Sequence, residues 1–446
     1  MADNMTGMRN DGIPSSTAKR KSASHERFPR IGYACLAIGV PGADLRTCQA
    51  ARATPQLLDG LIAHNLHSLG NLLDWNARNG IRLFRVSSDL IPFGSSPVNP
   101  LPWWDTHAEA FAALAGKARA AGIRLSMHPG QYTVLNAKEP GIVRRAVADL
   151  AYHERVLSLL GAGTDGKIVL HAGGVYGDRK AALQRFADTW RNLDEPIRAR
   201  LVIENDEKCH PIGDVLDLGL KLGVPVVYDN LHNALLPSDP ERTDADWIAA
   251  CAPTWREADG RQKVHYAQQA PGRHAGSHAA TIDAEVFLAY AHSLPDGLSP
   301  DIMLEVKDKN LSAVKCALCL AKTGVKPALE HEWARYKYSV LEHAPNAYLQ
   351  IRQLMAGRDG AATAFYRLVD QALREPVTAG NAENAALHVW GYFKGKASEK
   401  DHTAFFRALA RFRAGTGTLA PVKRVLWHLT ETFGDAYLLD SLYFFL

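Results

Sequence analysis

The chain has 446 residues, more than one ordinary core holds, so two or three domains are expected unless a barrel takes up about 250 of them. With 47% hydrophobic and 22% charged residues it has the make-up of a globular protein, and no apolar run approaches the roughly 20 residues of a membrane-spanning helix. A formal net charge of +4 permits a polyanionic partner without requiring one.

Residues 1–29 read as a disordered basic tail, polar throughout and without apolar periodicity. Its Lys19-Arg20-Lys21 run is either a solvated stretch or a contact to DNA phosphates. No apolar signal-peptide segment is seen, so the cytoplasm is the expected location, with nucleoid association if the source is bacterial.

From Ile31 onward, short apolar runs alternate with longer amphipathic segments. Eight strands are expected, at 31–40, 82–87, 123–127, 167–170, 200–203, 224–228, 263–267 and 301–305. Helical patterns lie between them, such as LLDGLIAHNLHSLGNLLDWNARNG, which ends in a glycine suited to a helix C-terminus. Short apolar strands separated by helices are parallel and buried on both faces. Eight such units over residues 30–324 imply an α/β fold, a (β/α)₈ TIM barrel. The runner-up, an open doubly wound sheet, lacks its GxGxxG fingerprint here. Beyond about residue 325 only helical periodicity remains, as in EHEWARYKYSVLEHAPNAYLQIRQLMAG and VKRVLWHLTETFG, so 325–446 is expected to be a smaller all-α domain. The lone Cys316-Ala-Leu-Cys319 pair lies in a helical segment and reads as packing.

Catalytic groups of such barrels gather at the C-terminal ends of the strands. Those ends carry His128, His171, Glu204, Asp229 with His232 one turn on, His265 with His278 in the following loop, and Glu305. Six successive strands thus deliver a His, Asp or Glu to one rim. Imidazole mixed with carboxylate suits Zn²⁺, Mn²⁺ or Fe²⁺ better than an all-oxygen Mg²⁺ or Ca²⁺ site. Eight candidate ligands exceed the need of one ion, so two or three divalent cations are expected, with Glu204 and Asp229 as bridging carboxylates. The charge-neutral alternative is a hydrogen-bonded polar rim. Lys263, two residues before His265 and on the same strand face, is either neutral, modified, or turned outward as an exposed strand-start lysine.

At these motifs the sequence resembles the ultraviolet damage endonuclease family of UvdE or UvsE type. SMHPGQY, LHAGGVYGDR, IENDE, VPVVYDNLHNAL, KVHYAQQ, GSHAATI and MLEVKDK carry the resemblance, with FRVSSDLIPF nearby. It implies a TIM barrel holding up to three divalent metals, Mn²⁺ first and Zn²⁺ or Mg²⁺ as alternatives. The expected substrate is double-stranded DNA with ultraviolet lesions, nicked 5′ to cyclobutane dimers and (6-4) photoproducts, with no membrane partner. The resemblance carries the eight ligands over and matches Lys263 to a lysine that relatives carry carboxylated; Glu204 and Lys263 are the expected catalytic pair. It matches Tyr33, Gln131 and Tyr132 to residues that wedge into and probe the duplex, against a plain rim-packing reading of the two tyrosines. Two departures are visible: Leu36-Ala37-Ile38 stands where relatives place a probing Asn, and Asp89 where some offer a His. Residues from WARYKYSVLEH to the C-terminus resemble a YbgA-like helical domain of unknown function. The rivals are an abasic-site endonuclease of the endonuclease IV type, a metal-dependent sugar isomerase, and a non-catalytic DNA- or metal-binding protein.

Overall fold

The structure is a computed structural model describing residues 29–321, 323–357 and 361–446. The expected basic tail, with Lys19, Arg20 and Lys21, lies outside the described residues apart from Pro29.

Eight parallel strands close into a barrel in chain order. They are β1 (Ile31–Ala34), β2 (Leu83–Arg85), β3 (Arg124–Met127), β4 (Lys167–His171), β5 (Leu201–Glu204), β6 (Val226–Asp229), β7 (Lys263–Tyr266) and β8 (Asp301–Leu304). Each leads to a main helix: α1 (Pro55–Arg78), α2 (Ala108–Ala120), α3 (Pro140–Leu159), α4 (Arg179–Arg191), α5 (Ile212–Leu222), α6 (Asp244–Cys251), α7 (Ala284–His292) and α8 (Asn310–Leu320). All eight strands fall inside or within one residue of their expected spans. β1 is much shorter than its apolar run, because Cys35 takes a left-handed φ of 71° and turns the chain out of the sheet.

The strand register sorts side chains onto two faces. Ile168, Leu170, Ile203, Val264, Ile302 and Leu304 point outward and pack with the helices in one large core. Val169, Val202 and Val227 face inward as a separate small cluster. Pairings Ala34↔Arg85↔Ser126↔Lys167 and Asp229↔His265 carry the inward face around the barrel. Gly32 is needed on β1, since a Cβ there would lie 2.3 Å from the Leu83 carbonyl oxygen.

The bottom of the barrel is closed by charge. Arg124 donates to Asp301 at 2.9 Å and to the Arg261, Asp259 and Asp165 carbonyls, while Lys167 donates to Asp259 at 2.5 Å. These buried ions are paired and hydrogen-bonded, as burial requires.

The C-terminal helices are α9 (Lys326–His343), α10 (Pro345–Ala356), α11 (Ala362–Arg374), α12 (Ala379–Trp390), α13 (Glu399–Arg413) and α14 (Ala420–Phe433). One of their two cores is internal. The other takes in Leu311 and Leu318 of α8 and Ile38 of the loop after β1, so the helical region packs on the barrel. Cys316 is buried in the barrel core and Cys319 packs against the second cluster, both as free thiols. Among the described residues no helix is long and apolar enough to cross a membrane.

Candidate metal centre

The inward residues at the strand tops converge. His128 follows β3, His171 closes β4, Glu204 closes β5, Asp229 closes β6, His265 stands inside β7 and Glu305 follows β8. Asp229 also caps the short helix Asn230–Leu235 by accepting from the His232 amide at 2.8 Å, which swings the His232 ring toward it.

Glu204 is the hub. Its Oε2 lies 3.1 Å from His128 Nε2 and 3.7 Å from His171 Nε2. Its Oε1 lies 2.7 Å from His265 Nδ1 and 3.7 Å from His232 Nδ1. Two ligand trios share it: His128–Glu204–His265 and Glu204–Asp229–His232, the atoms of each within 4.8 Å of one another. Glu305 extends the patch, 3.4 Å from His265 Nδ1 and 3.7 Å from His278 Nε2. All eight expected ligands are therefore linked in one contiguous patch.

The electrostatics follow from burial among like and unlike charges. Burial alone would raise the Glu204 carboxyl, but His265 and His171, with the His128 and His265 hydrogen bonds, hold it well below the usual range. Asp229 is pushed up to about 6, chiefly by burial and then by Glu204 and Glu305 against the pull of His232. His232 is opposed by burial yet raised to about 9 by Asp229, Glu204, Glu305 and Glu207. Burial takes His128 down to about 4.

Three atoms decide whether cations fit. Asp229 Oδ2, His265 Nε2 and His171 Nδ1 are buried without a hydrogen-bond partner. An unmet buried donor or acceptor costs about 1–3 kcal/mol, and a set of imidazole nitrogens and carboxylate oxygens converging within ligand distance is the donor set of divalent transition metals. The residues present fit such ions.

Lys263 is fully buried, which removes the exposed strand-start reading. It stands inside the barrel two residues below His265, its Nζ without a hydrogen-bond partner. Burial, reinforced by Arg124, holds its amine well below the ordinary lysine range.

The loop after β3 presents Gln131 and Tyr132 to solvent, Tyr132 at 71% exposure. Thr133 anchors it by donating to Asp149 at 2.6 Å, and Ser88 ties the adjoining loop to the His128 carbonyl at 2.9 Å. Tyr33 corrects the expectation placed on it. It is 0% exposed on the outer face of β1, edge-on to Trp75 and Phe84, with its hydroxyl donating to Asn76 at 2.8 Å. Strand alternation explains this, because Tyr33 pairs with outward Leu304. The rim-packing alternative holds for Tyr33. Asp89 is exposed and joins no ligand group among the described residues.

Two contributors were missed from sequence. Arg85 ends β2 on the inward face and donates to Glu305 at 2.6 Å. Asn205 clamps Asp229 from both sides, donating to its carbonyl at 3.0 Å and accepting from its amide at 2.9 Å. The signal for Arg85 was its inward register, shared with Ser126, two residues before His128.

Comparison with known proteins places the sequence and the fold. The sequence profile described as "UV-endonuclease UvdE" covers residues 29–330, and "Protein of unknown function (DUF1722)" covers 337–446. The UV DNA damage endonuclease of Clostridium perfringens is 36% identical over 351 residues, 78% of this chain and 84% of that one. The UV-damage endonuclease of Schizosaccharomyces pombe is 32% identical over 298 residues, 63% of this chain and 49% of that one. The crystal structure of SacUVDE superposes with a TM-score of 0.61 at 34% identity, covering 65% of this chain and 96% of that one. With the UvdE profile matching residues 29–330, two-thirds of its length, the chain belongs to the UV-endonuclease UvdE family.

Proposed function

We propose that this protein is a metal-dependent DNA repair endonuclease that hydrolyses the phosphodiester 5′ to ultraviolet photoproducts. One observation carries the reading: a single buried carboxylate, Glu204, joins two ligand trios beneath a rim that holds Gln131 and Tyr132 out to solvent.

His128, His171, Glu204, Asp229, His232, His265, His278 and Glu305 would hold two or three divalent cations, Mn²⁺ foremost. When bound, such ions lower the pKa of water, orient it and neutralise charge on the phosphate. The remaining work falls to the chain. Glu204 holds His128 and His265 in register by its two oxygens. Asn205 fixes the Asp229 backbone, and its own carbonyl holds His232 Nδ1 at 2.9 Å, with Nε2 3.6 Å from Glu207 Oε2. Arg85 balances the Glu305 carboxylate. Tyr132 supplies an aromatic face that replaces base stacking lost at a lesion, and Gln131 beside it offers hydrogen bonds to the exposed bases. Damaged duplex is easier to kink, so the cost of deformation adds to selectivity. Burial without a hydrogen-bond partner favours the uncharged amine of Lys263, the form of lysine that reacts with CO₂, and the carboxylated side chain expected from the resemblance would place an anion under the ligands.

The test is a nicking assay with Mn²⁺ on matched intact, ultraviolet-damaged and abasic duplexes, with a chelator control. Metal-dependent nicking 5′ to photoproducts is expected. Cutting of the abasic duplex alone would favour the endonuclease IV type of activity, and no cutting would remove the nuclease reading.

A further inference from the structure

We infer that the C-terminal helical region is a second DNA-holding surface, binding duplex phosphates beside the rim through the α13–α14 hairpin; this rests on the DNA reading of the site. Between Asp401 and Glu431 the chain has no carboxylate side chain, yet it carries Arg407, Arg411, Arg413, Lys423 and Arg424. Two of these are used within the fold. Arg413 pairs with Glu383 of α12, and Lys423 pairs with Glu342 of α9 at 2.7 Å. Arg407, Arg411 and Arg424 are exposed and make no ion pair among the described residues.

Packing does not account for these three. The buried faces of the two helices are formed by Phe405, Leu409, Val422 and Leu426. Arg407 and Arg411 stand four residues apart on one helical face, a like-charge spacing that costs an isolated helix about 0.2–0.5 kcal/mol. A polyanion laid across the face reverses that cost.

The hairpin also stands next to the catalytic rim. Lys423 donates to the Leu446 carbonyl at 3.1 Å, and the Trp427 ring meets those of Phe444 and Phe445 at 5.0 and 5.2 Å. Leu442 and Phe445 in turn cover Gly39 in the loop after β1, so closely that a Cβ on Gly39 would lie 2.9 Å from Leu442. Strand polarity puts that loop on the same rim as Gln131 and Tyr132. One layer of side chains thus separates α14 from the face that receives the lesion. The apolar Leu36-Ala37-Ile38 stretch acquires a reason as well, since Ile38 packs into the core shared with Leu442 and Leu446.

The chemistry fits the phosphate backbone of duplex DNA flanking the lesion. Guanidinium groups recognise phosphate oxygens, and exposed ones displace condensed counterions. The experiment uses the full chain in chelator, so that binding is read without cleavage. Fluorescence anisotropy follows a labelled undamaged duplex of several helical turns and a short one of a single turn, across a salt series. Replacing Arg407→Ala, Arg411→Ala and Arg424→Ala together should weaken binding of the long duplex by on the order of tenfold or more and make the salt slope shallower by about 2.7, from three phosphate contacts at about 0.9 each. Binding of the short duplex and the nicking rate at saturating damaged DNA should stay as in the wild type. The Arg→Lys triple variant should restore the slope, which a loss of folding would not allow. Wild-type slope in the alanine triple overturns this inference alone, leaving the nuclease reading in place. Wild-type protein that binds neither duplex overturns the DNA reading of the site itself.

Discussion

Lys315 of α8 donates to both carboxylate oxygens of Asp370 on α11, at 2.9 and 2.8 Å. The same ammonium reaches Thr281 Oγ1 at 2.6 Å and the Ile282 carbonyl at 2.9 Å. Thr281 and Ile282 close the GSHAATI loop, which carries His278. A carboxylate of the helical region therefore holds the lysine that holds the barrel loop of His278, one of the proposed ligands. The Asp370→Ala variant strands a buried ammonium, at a cost of about 3–5 kcal/mol. A lowered Tm is expected, together with weaker Mn²⁺ binding by the folded protein at a temperature well below it. Unchanged values of both would mean that the helical region is only appended.

Glu204→Gln is nearly isosteric but removes the charge shared by both trios. Nicking should fall by on the order of 100-fold or more, the upper end of what loss of even an outer-sphere partner costs a metal site. The number of ions bound, measured by elemental analysis after gel filtration, should fall with it. Full nicking by this variant would separate the ligand patch from the reaction.

The charge state of the patch predicts a proton count. His232, raised to about 9, carries a proton at neutral pH, whereas Asp229, at about 6, is mostly ionised there. A cation can bind His232 only after that proton leaves. Metal binding should therefore release a proton, and apparent affinity should rise by up to about tenfold per pH unit until pH approaches the His232 value. Calorimetry in buffers of different ionisation enthalpy reads the count directly. Affinity that is flat with pH across neutrality would show that His232 is not a ligand.

Tyr132 and Tyr33 should behave oppositely. Tyr132→Ala removes an exposed ring and should cost roughly 5- to 150-fold in discrimination between damaged and intact duplex, from about 1–3 kcal/mol of stacking per base. Tyr33→Phe leaves Asn76 Oδ1 without its donor and should destabilise the fold by about 1–3 kcal/mol with discrimination intact. Denaturant melts paired with competition nicking assays distinguish the two.

How much was legible in the sequence follows from what the barrel does to side chains. Parallel strands buried on both faces show as short apolar runs, and a polar residue ending such a run has only the rim to occupy. His128, His171, Glu204 and Asp229 were readable for that reason. Tyr33 was misplaced because the resemblance carries a residue over by its motif and not by its strand face; its pairing with outward Leu304 sets it against α1. Arg85 was passed over because a strand-end arginine resembles a solvated terminus until its partner, Glu305, is known to be 220 residues away across β1. The plug of Arg124, Lys167 and Asp301, with Asp259 from the turn before β7, was hidden in the same way, since charges at and before strand starts announce no common centre until the barrel closes.

The central claim is that the side chains from His128 to Glu305 hold several cations around Glu204. Anomalous diffraction from crystals soaked in Mn²⁺ measures this directly. The account predicts at least two peaks, both bordering the Glu204 carboxylate, one toward His128 and His265 and one toward Asp229 and His232. A single peak away from Glu204, or none in crystals of protein that still nicks damaged DNA, would contradict it.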